Sequence, residues 1–200
     1  MAISIRANID QVIKGLDAEK AAAEKVVRRT IGDMRTRAPG WVSKAVREEY
    51  AISAGDVKSA MRVGNDGKVS VAGTEVDNVT LTYSGRVLTP THFKMRPTSR
   101  PASGVPYQIT AEIKKGQRKP LSSRAFLAHA GGAGTTEIPF QREGSSRLPI
   151  KPIKTLSVPQ MIESKDGTKP EIEKAINEGL EKRFNHYCDI YLGGGSKTGK

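Results

Sequence analysis

Aromatic side chains are scarce in this sequence: Phe, Trp and Tyr make up 5% of it, within a hydrophobic fraction of 36%. A chain so composed can bury a core, though not a large one, and it offers few rings on which single-stranded bases could stack. Cysteine is nearly absent. Cys188 stands alone, which excludes an intrachain disulfide and any metal site built on two or four cysteines. His92, His129 and His186 fall in separate segments and lack ligand spacing. No stretch approaches the ~18 apolar residues of a membrane span. The opening MAISIRANIDQVIKGL lacks the continuous apolar run and small-residue cleavage site of a secretion signal. The expectation is a soluble intracellular protein without membrane contact.

Gly and Pro are plentiful, at 20 and 11 residues, as in a globular chain with long loops. The length of 200 residues suits one domain, expected over 1–192, with a Gly-rich flexible tail at 193–200. Net charge is +12, and its distribution is uneven. Residues 91–125 carry eight Lys or Arg against the single acidic Glu112, whereas residues 163–200 balance at seven each. A basic excess gathered in one segment points to a surface that faces nucleic acid or an acidic protein.

Periodicity divides the chain. Ile9, Ile13, Leu16, Ala23, Val27, Ile31 and Met34 recur at helical steps and predict an amphipathic helix over 9–38, ended by Pro39-Gly40. A second helix is expected from Trp41 to about Tyr50. A third is expected near Val57–Arg62, with Ser53 and Asp56 at capping spacing. NDGK at 65–68 signals a turn. Beyond it, three groups alternate as strands do: Val79, Leu81 and Tyr83; Tyr107, Ile109, Ala111 and Ile113; then Phe126 and Ala128 with Ile138 and Phe140. Thr168 with Glu171 has capping-box spacing ahead of Ile172, Ile176, Leu180, Phe184 and Tyr187, a C-terminal amphipathic helix. The fold class expected is α+β: N-terminal amphipathic helices, an antiparallel sheet of about four strands, and a C-terminal helix packed on it. The link 89–104 is long for a hairpin and carries Lys94, Arg96 and Arg100.

Chemistry-bearing motifs are weak. Gly194 to Lys200 matches G-x-x-x-x-G-K, but no Ser/Thr and no helix follows it, so no nucleotide site or other cofactor is expected. His186 and Cys188 are two apart, a spacing that does not face one another on a helix. Acidic residues are interleaved with Lys and Arg in the manner of a solvated face. No catalytic set is legible, and the expectation is that the protein is not an enzyme. Residues 35–62 offer an alternative, a DNA-binding regulator with a helix-turn-helix, although only Lys58 and Arg62 would furnish its short reading helix.

Residues 144–162, GSSRLPIKPIKTLSVPQMI, are too proline-rich for a helix and too apolar for an ordinary loop. Proline fixes its own φ and pushes its predecessor toward extended geometry, so Leu148-Pro149-Ile150 and Val158-Pro159 predict a pre-ordered extended arm with apolar pegs. The arm could lie on its own sheet or on a neighbouring subunit. Together with Phe140 and Arg142, the residues Arg147, Leu148, Pro149, Ile150, Ser157, Val158, Pro159, Gln160 and Met161 resemble the pattern of the phage minor tail protein Z family, a tail-completion group. Thr155-Leu156 stands where that family often has Gly-Pro. Loose similarity continues at the N-terminal side, in the RRT at 28–30, the Trp-Val-Ser-Lys run and the following Asp-Val-Lys.

The resemblance implies a structural protein of a tailed phage or prophage, located in the virion and in the host cytoplasm during assembly. It implies a place at the head-proximal end of the tail or neck, supporting head–tail joining as a homo-oligomeric ring, with six copies the expected number. Partners would be other tail or neck proteins. The assembly surface expected comprises Arg96, Arg100, Lys114, Lys115, Arg118 and Lys119, with Arg147, Leu148, Pro149, Ile150, Val158 and Pro159 on the arm. An acidic protein is the first-choice partner for the basic part, and non-specific contact with duplex DNA the second.

Overall fold

A computed structural model describes residues 2–4, 20–71, 74–131, 136–164 and 167–193. Two expectations fall outside them: the part of the first helix that holds Ile9, Ile13 and Leu16, and the G-x-x-x-x-G-K tail. The class is α+β. Helix α1 spans Lys20–Glu49, α2 Ala54–Ser59, α3 Val158–Ile162 and α4 Thr168–Tyr191. The strands are β1 (Ala2–Ser4), β2 (Met61–Val71), β3 (Thr74–Tyr83), β4 (Lys94–Arg96), β5 (Thr110–Glu112), β6 (Arg118–Pro120), β7 (Ala125–His129), β8 (Glu137–Arg142) and β9 (Ile150–Pro152).

The antiparallel strands are shared among three three-stranded sheets, ordered β1-β3-β2, β4-β5-β6 and β7-β8-β9, rather than gathered in one. Alternation in the sequence marks β3, β5, β7 and β8 but not the eleven-residue β2, where the turn signal at 65–68 intervenes. The partners β4, β6 and β9 are three residues each and too short to show a period. The link 89–104 is therefore not all loop: Pro90–His92 forms a 3-10 turn and Lys94–Arg96 pairs with β5. The NDGK signal at 65–68 makes no chain reversal. It lies inside β2, where the register against β3 shifts between Asn65 and Lys68.

The chain forms two compact units where the sequence suggests one domain. One comprises residues 1–42, 61–84 and 169–200, the other 43–60 and 85–168. In the first, α1 buries Ala23, Val26, Val27, Met34, Ala38 and Val42, the face that periodicity predicts. Pro39 and Gly40 do not end this helix, which runs unbroken to Glu49. Ala38 and Val42 flank them at 0% exposure, and their burial holds the backbone helical through a residue that can donate no hydrogen bond.

Helix α4 buries Ile172, Ile176 and Phe184 as expected. The contacts at Gly179, Arg183 and Tyr187 run to α1, whereas the sequence suggests packing on a sheet: the Arg183 guanidinium sits 3.6 Å from the Asp33 carboxylate, and Tyr187 hydrogen-bonds the same Asp33. A Cβ placed on Gly179 would overlap the ring of Trp41. This close approach is what requires glycine in mid-helix, where it otherwise costs about 1 kcal/mol relative to alanine.

In the second unit, Met95, Ile109 and Leu127 form a buried cluster, against which Tyr107, Leu121 and Ala125 pack. The Tyr107 hydroxyl accepts a hydrogen bond from Leu127 N at 3.1 Å. The sheet β7-β8-β9 turns Leu127 and Pro139 inward. Phe126, Ala128, Ile138 and Phe140, the residues that announced these strands, lie on its other face and are half-buried. Phe126 and Phe140 stack at 6.3 Å, and Arg142 lies 5.2 Å over the Phe126 ring.

Gly179→Ala should lower stability by about 1–3 kcal/mol through overpacking. Because Trp41 is the single tryptophan, the same variant should shift the intrinsic fluorescence maximum. Denaturant titration followed by tryptophan emission checks both; an unchanged midpoint and spectrum would contradict the contact.

Candidate interaction surface

Pairing register builds the surface. Lys94, Glu112 and Arg118 stand side by side across β4, β5 and β6, and Arg96, Thr110 and Pro120 form the next row. Met95 and Ala111, between these rows, point to the opposite, buried face. The outer face is therefore polar and mainly cationic. Glu112 holds it together. Its carboxylate lies 3.8 Å from the Lys94 ammonium and 3.6 Å from the Arg118 guanidinium, and accepts a hydrogen bond from Gly116 N at 3.1 Å. Arg118 also donates to the Thr110 hydroxyl at 3.3 Å. One carboxylate among Lys94, Arg96 and Arg118 leaves the face with surplus positive charge. Beside it opens a groove of about 520 Å³ lined by Arg96, Pro97, Thr98, Ser99, Gln108 and Thr110. Its guanidinium, hydroxyls and amide can orient a carboxylate or a phosphate.

The predicted basic residues separate into different roles. Arg96 and Arg118 share the outer face. Lys119 lies on the opposite side of the edge strand β6, across from Ala111, and is exposed. Arg100 follows β4 and is exposed, its backbone N donating to Glu137 at 2.6 Å. Lys114 and Lys115 lie beyond β5. The Lys115 side chain is exposed and its backbone N donates to Glu49 O at 2.9 Å.

Lys114 is instead part of an internal clamp. Its ammonium lies 2.7 Å from the Glu49 carboxylate and 5.8 Å from the centre of the Tyr50 ring. The Thr168 hydroxyl donates to the second Glu49 oxygen at 2.7 Å, so Thr168 serves Glu49 where the sequence suggests a capping box with Glu171. Gly167 leaves the space that this carboxylate fills. Burial alone would raise the Glu49 pKa. The hydrogen bonds from Lys114 and Thr168, the Lys114 charge and the Tyr50 hydroxyl outweigh it and hold the carboxyl below its ordinary 4.5.

The proline-rich arm docks on its own chain, in two forms. Ile150 opens β9, which pairs antiparallel with β8, and Ile153 N donates to Pro139 O at 2.9 Å. The connection 143–149 carries Arg147, Leu148 and Pro149 into solvent, with Leu148 at 67% exposure and Lys151 ion-paired to Glu143. Val158 and Pro159 are not extended pegs. They open α3, which buries Val158, Met161 and Ile162. The Ser157 hydroxyl accepts from Gln160 N, the Gln160 side chain accepts from Ser157 N at 2.8 Å, and Pro159 in the first turn needs no N–H partner. Ser-Val-Pro-Gln is thus a helix start, a signal present in the sequence and obscured by its prolines.

Helix α2 takes Ser53 as its cap, as the sequence suggests, but ends at Ser59, which leaves Arg62 on β2. Cys188 is half-buried; burial and the neighbouring Asp189 push its thiol up, away from the reactive thiolate. Among the described residues, no group of three or more His, Cys, Asp or Glu converges as metal ligands do. Sequence reasoning did not single out Thr98, Ser99, Gln108 and Thr110, which line the groove. It counted Glu112 as the one acid among eight bases without seeing that such isolation marks a bridging carboxylate. No family model matches this chain, and no curated protein and no solved structure matches it either.

Glu49→Gln should cost about 0.5–1.5 kcal/mol, the range for losing hydrogen bonds at a part-buried position. Because the folded carboxyl titrates below the ordinary 4.5, its stabilisation is complete above that pH and is lost as pH falls through the lower folded value. Urea melts from pH 7 to pH 2.5 should therefore show a steeper acid loss in the parent than in the variant; parallel curves would contradict the clamp.

Proposed function

We propose that this chain works by docking rather than by catalysis, as a tail-completion or neck protein of a tailed phage or prophage. In this reading copies assemble in a ring at the head-proximal end of the tail and support head–tail joining. The observation that carries the reading is the outer face of β4-β5-β6. There Lys94, Arg96 and Arg118, three of the eight basic residues of 91–125, share one face, with Glu112 bridging Lys94 and Arg118 and Arg96 standing over a polar groove. A surface of this kind fits the carboxylates of an acidic protein: the groove supplies hydroxyl and amide partners for a single acidic side chain, and the surrounding cations steer its approach. The hairpin tip at Arg147 and Leu148 supports the same reading. It presents an exposed apolar side chain on a connection whose base is fixed by β8-β9 pairing and by the buried α3. Such a tip can enter a neighbour at low entropic cost.

The variant Lys94→Glu/Arg96→Glu/Arg118→Glu should abolish head–tail joining while the chain stays folded by circular dichroism. Complementation of a producing strain lacking the protein, with joined particles counted by electron microscopy, reads the effect. Undiminished joining overturns the assignment of this face. Immunogold label absent from the head–tail junction of parent particles overturns the assembly reading itself.

A further inference from the structure

We infer that the solvent face of α1 between Lys25 and Arg35 binds the phosphate backbone of double-stranded DNA without reading its sequence. This surface belongs to the first unit and the basic segment 91–125 to the second, and the inference does not rest on the family reading. Among residues 21–40 the exposed positions are Ala21, Lys25, Arg28, Arg29, Gly32, Arg35, Thr36, Arg37 and Gly40. No carboxylate is among them. The two acids in the stretch, Glu24 and Asp33, are half-buried, and Asp33 is engaged by Arg37 at 3.7 Å and by Arg183 at 3.6 Å. Five cations, Lys25, Arg28, Arg29, Arg35 and Arg37, stand against these two acids, so the stretch keeps a positive excess.

The second long helix shows what an ordinary solvated face looks like in the same protein. On α4 the exposed Glu171, Glu173, Glu178 and Glu181 alternate with Lys169, Lys174 and Lys182. Mixed signs support a helix through pairs one turn apart; α1 has such a pair in Asp33–Arg37, but Lys25 with Arg28 and Arg29 also places like charges at those spacings. Glycine at two exposed positions weakens the helix. A Cβ on Gly32 or Gly40 would meet nothing within 4 Å, so packing inside the chain does not ask for glycine at either place. Features that cost a helix stability and serve no internal contact mark a surface shaped for something outside.

The geometry favours duplex phosphate. Lys25 and Arg35 are ten residues apart, about 15 Å along the axis. At about 100° per residue, Arg28 and Arg35 fall on one flank and Arg29 on the other, with Gly32 between them. A rod about 10–12 Å across, flat along its centre and cationic on both flanks, can approach a duplex closely and reach phosphates on either strand. Of the larger apolar residues at 21–40, Val26, Val27 and Met34 are buried and Ile31 is half-buried, so no large apolar side chain is exposed to insert into a bilayer. The exposed set contains no aromatic ring on which unpaired bases could stack.

The test is fluorescence anisotropy of the full chain with a labelled 30-base-pair duplex of arbitrary sequence at several salt concentrations. Log affinity should fall linearly with log salt, and Arg28→Gln/Arg29→Gln/Arg35→Gln should weaken binding and reduce the magnitude of the slope by about 2–3. The matching Arg→Lys triple should keep the slope, and Lys169→Gln/Lys174→Gln on the mixed-sign helix α4 should leave it unchanged, which separates this face from net charge alone. Circular dichroism confirms that the variants remain helical. The inference is overturned by no duplex binding at low salt, by a slope indifferent to the α1 triple, by equal affinity for a single strand of the same length, or by tighter α1-dependent binding of a polyglutamate peptide.

Discussion

The Glu49 carboxylate is the constraint that organises the second unit. It closes α1, and one of its oxygens takes the Lys114 ammonium at the end of the β5 segment while the other takes the Thr168 hydroxyl. Backbone bonds run beside it: Lys115 N to Glu49 O, and Ala51 N to Ile113 O, both at 2.9 Å. Three segments distant in sequence meet at one charge. A part-buried carboxylate is tolerable only when each oxygen is satisfied, and here hydrogen bonds overcome a desolvation that by itself would favour the neutral form. The turn that presents Lys115 and Arg118 is held in place from this point.

From that anchor the cationic character of the chain resolves into places. Lys114 is consumed inside the clamp. Lys94 and Arg118 share Glu112, and Arg96 faces a groove. Lys25, Arg28, Arg29 and Arg35 lie on a helix face with no exposed acid. Net charge in a sequence window sets the sign of the long-range field, but which charges a partner meets depends on which are already paired. The two surfaces differ in shape, a polar groove on one sheet and a rod-like helix face.

The helical part of the fold was largely legible. Ala23, Val27 and Met34 on α1, and Ile172, Ile176 and Phe184 on α4, are buried as their spacing requires, because a 3.6-residue period places them on one stripe whatever packs against it. Pro39-Gly40 misled, since a local preference against helix was set against burial of Ala38 and Val42 on either side. The sheets were half legible. Alternation located β3, β7 and β8, but it cannot say which face is inward: in β7 and β8 the core took Leu127 and Pro139, and the more conspicuous Phe126 and Phe140 stayed half-buried. The proline-rich stretch was read as one extended arm; its prolines serve a hairpin connection at Pro149 and a helix start at Pro159, two uses of the same fixed φ.

Sequence alone determined the α+β class, the amphipathic faces of the two long helices, the cap at Ser53 and the concentration of positive charge in residues 91–125. These follow from local period, local hydrogen-bonding capacity and simple counting. Only the tertiary structure decided that Lys114 pairs with Glu49, that Glu112 is shared by Lys94 and Arg118, that Gly179 yields to Trp41, and that the face of α1 at Arg28 and Arg35 is left without a carboxylate. The reason is physical. Pairing and exposure are relations between residues far apart in the chain, set by register and packing, and no window of sequence contains both partners.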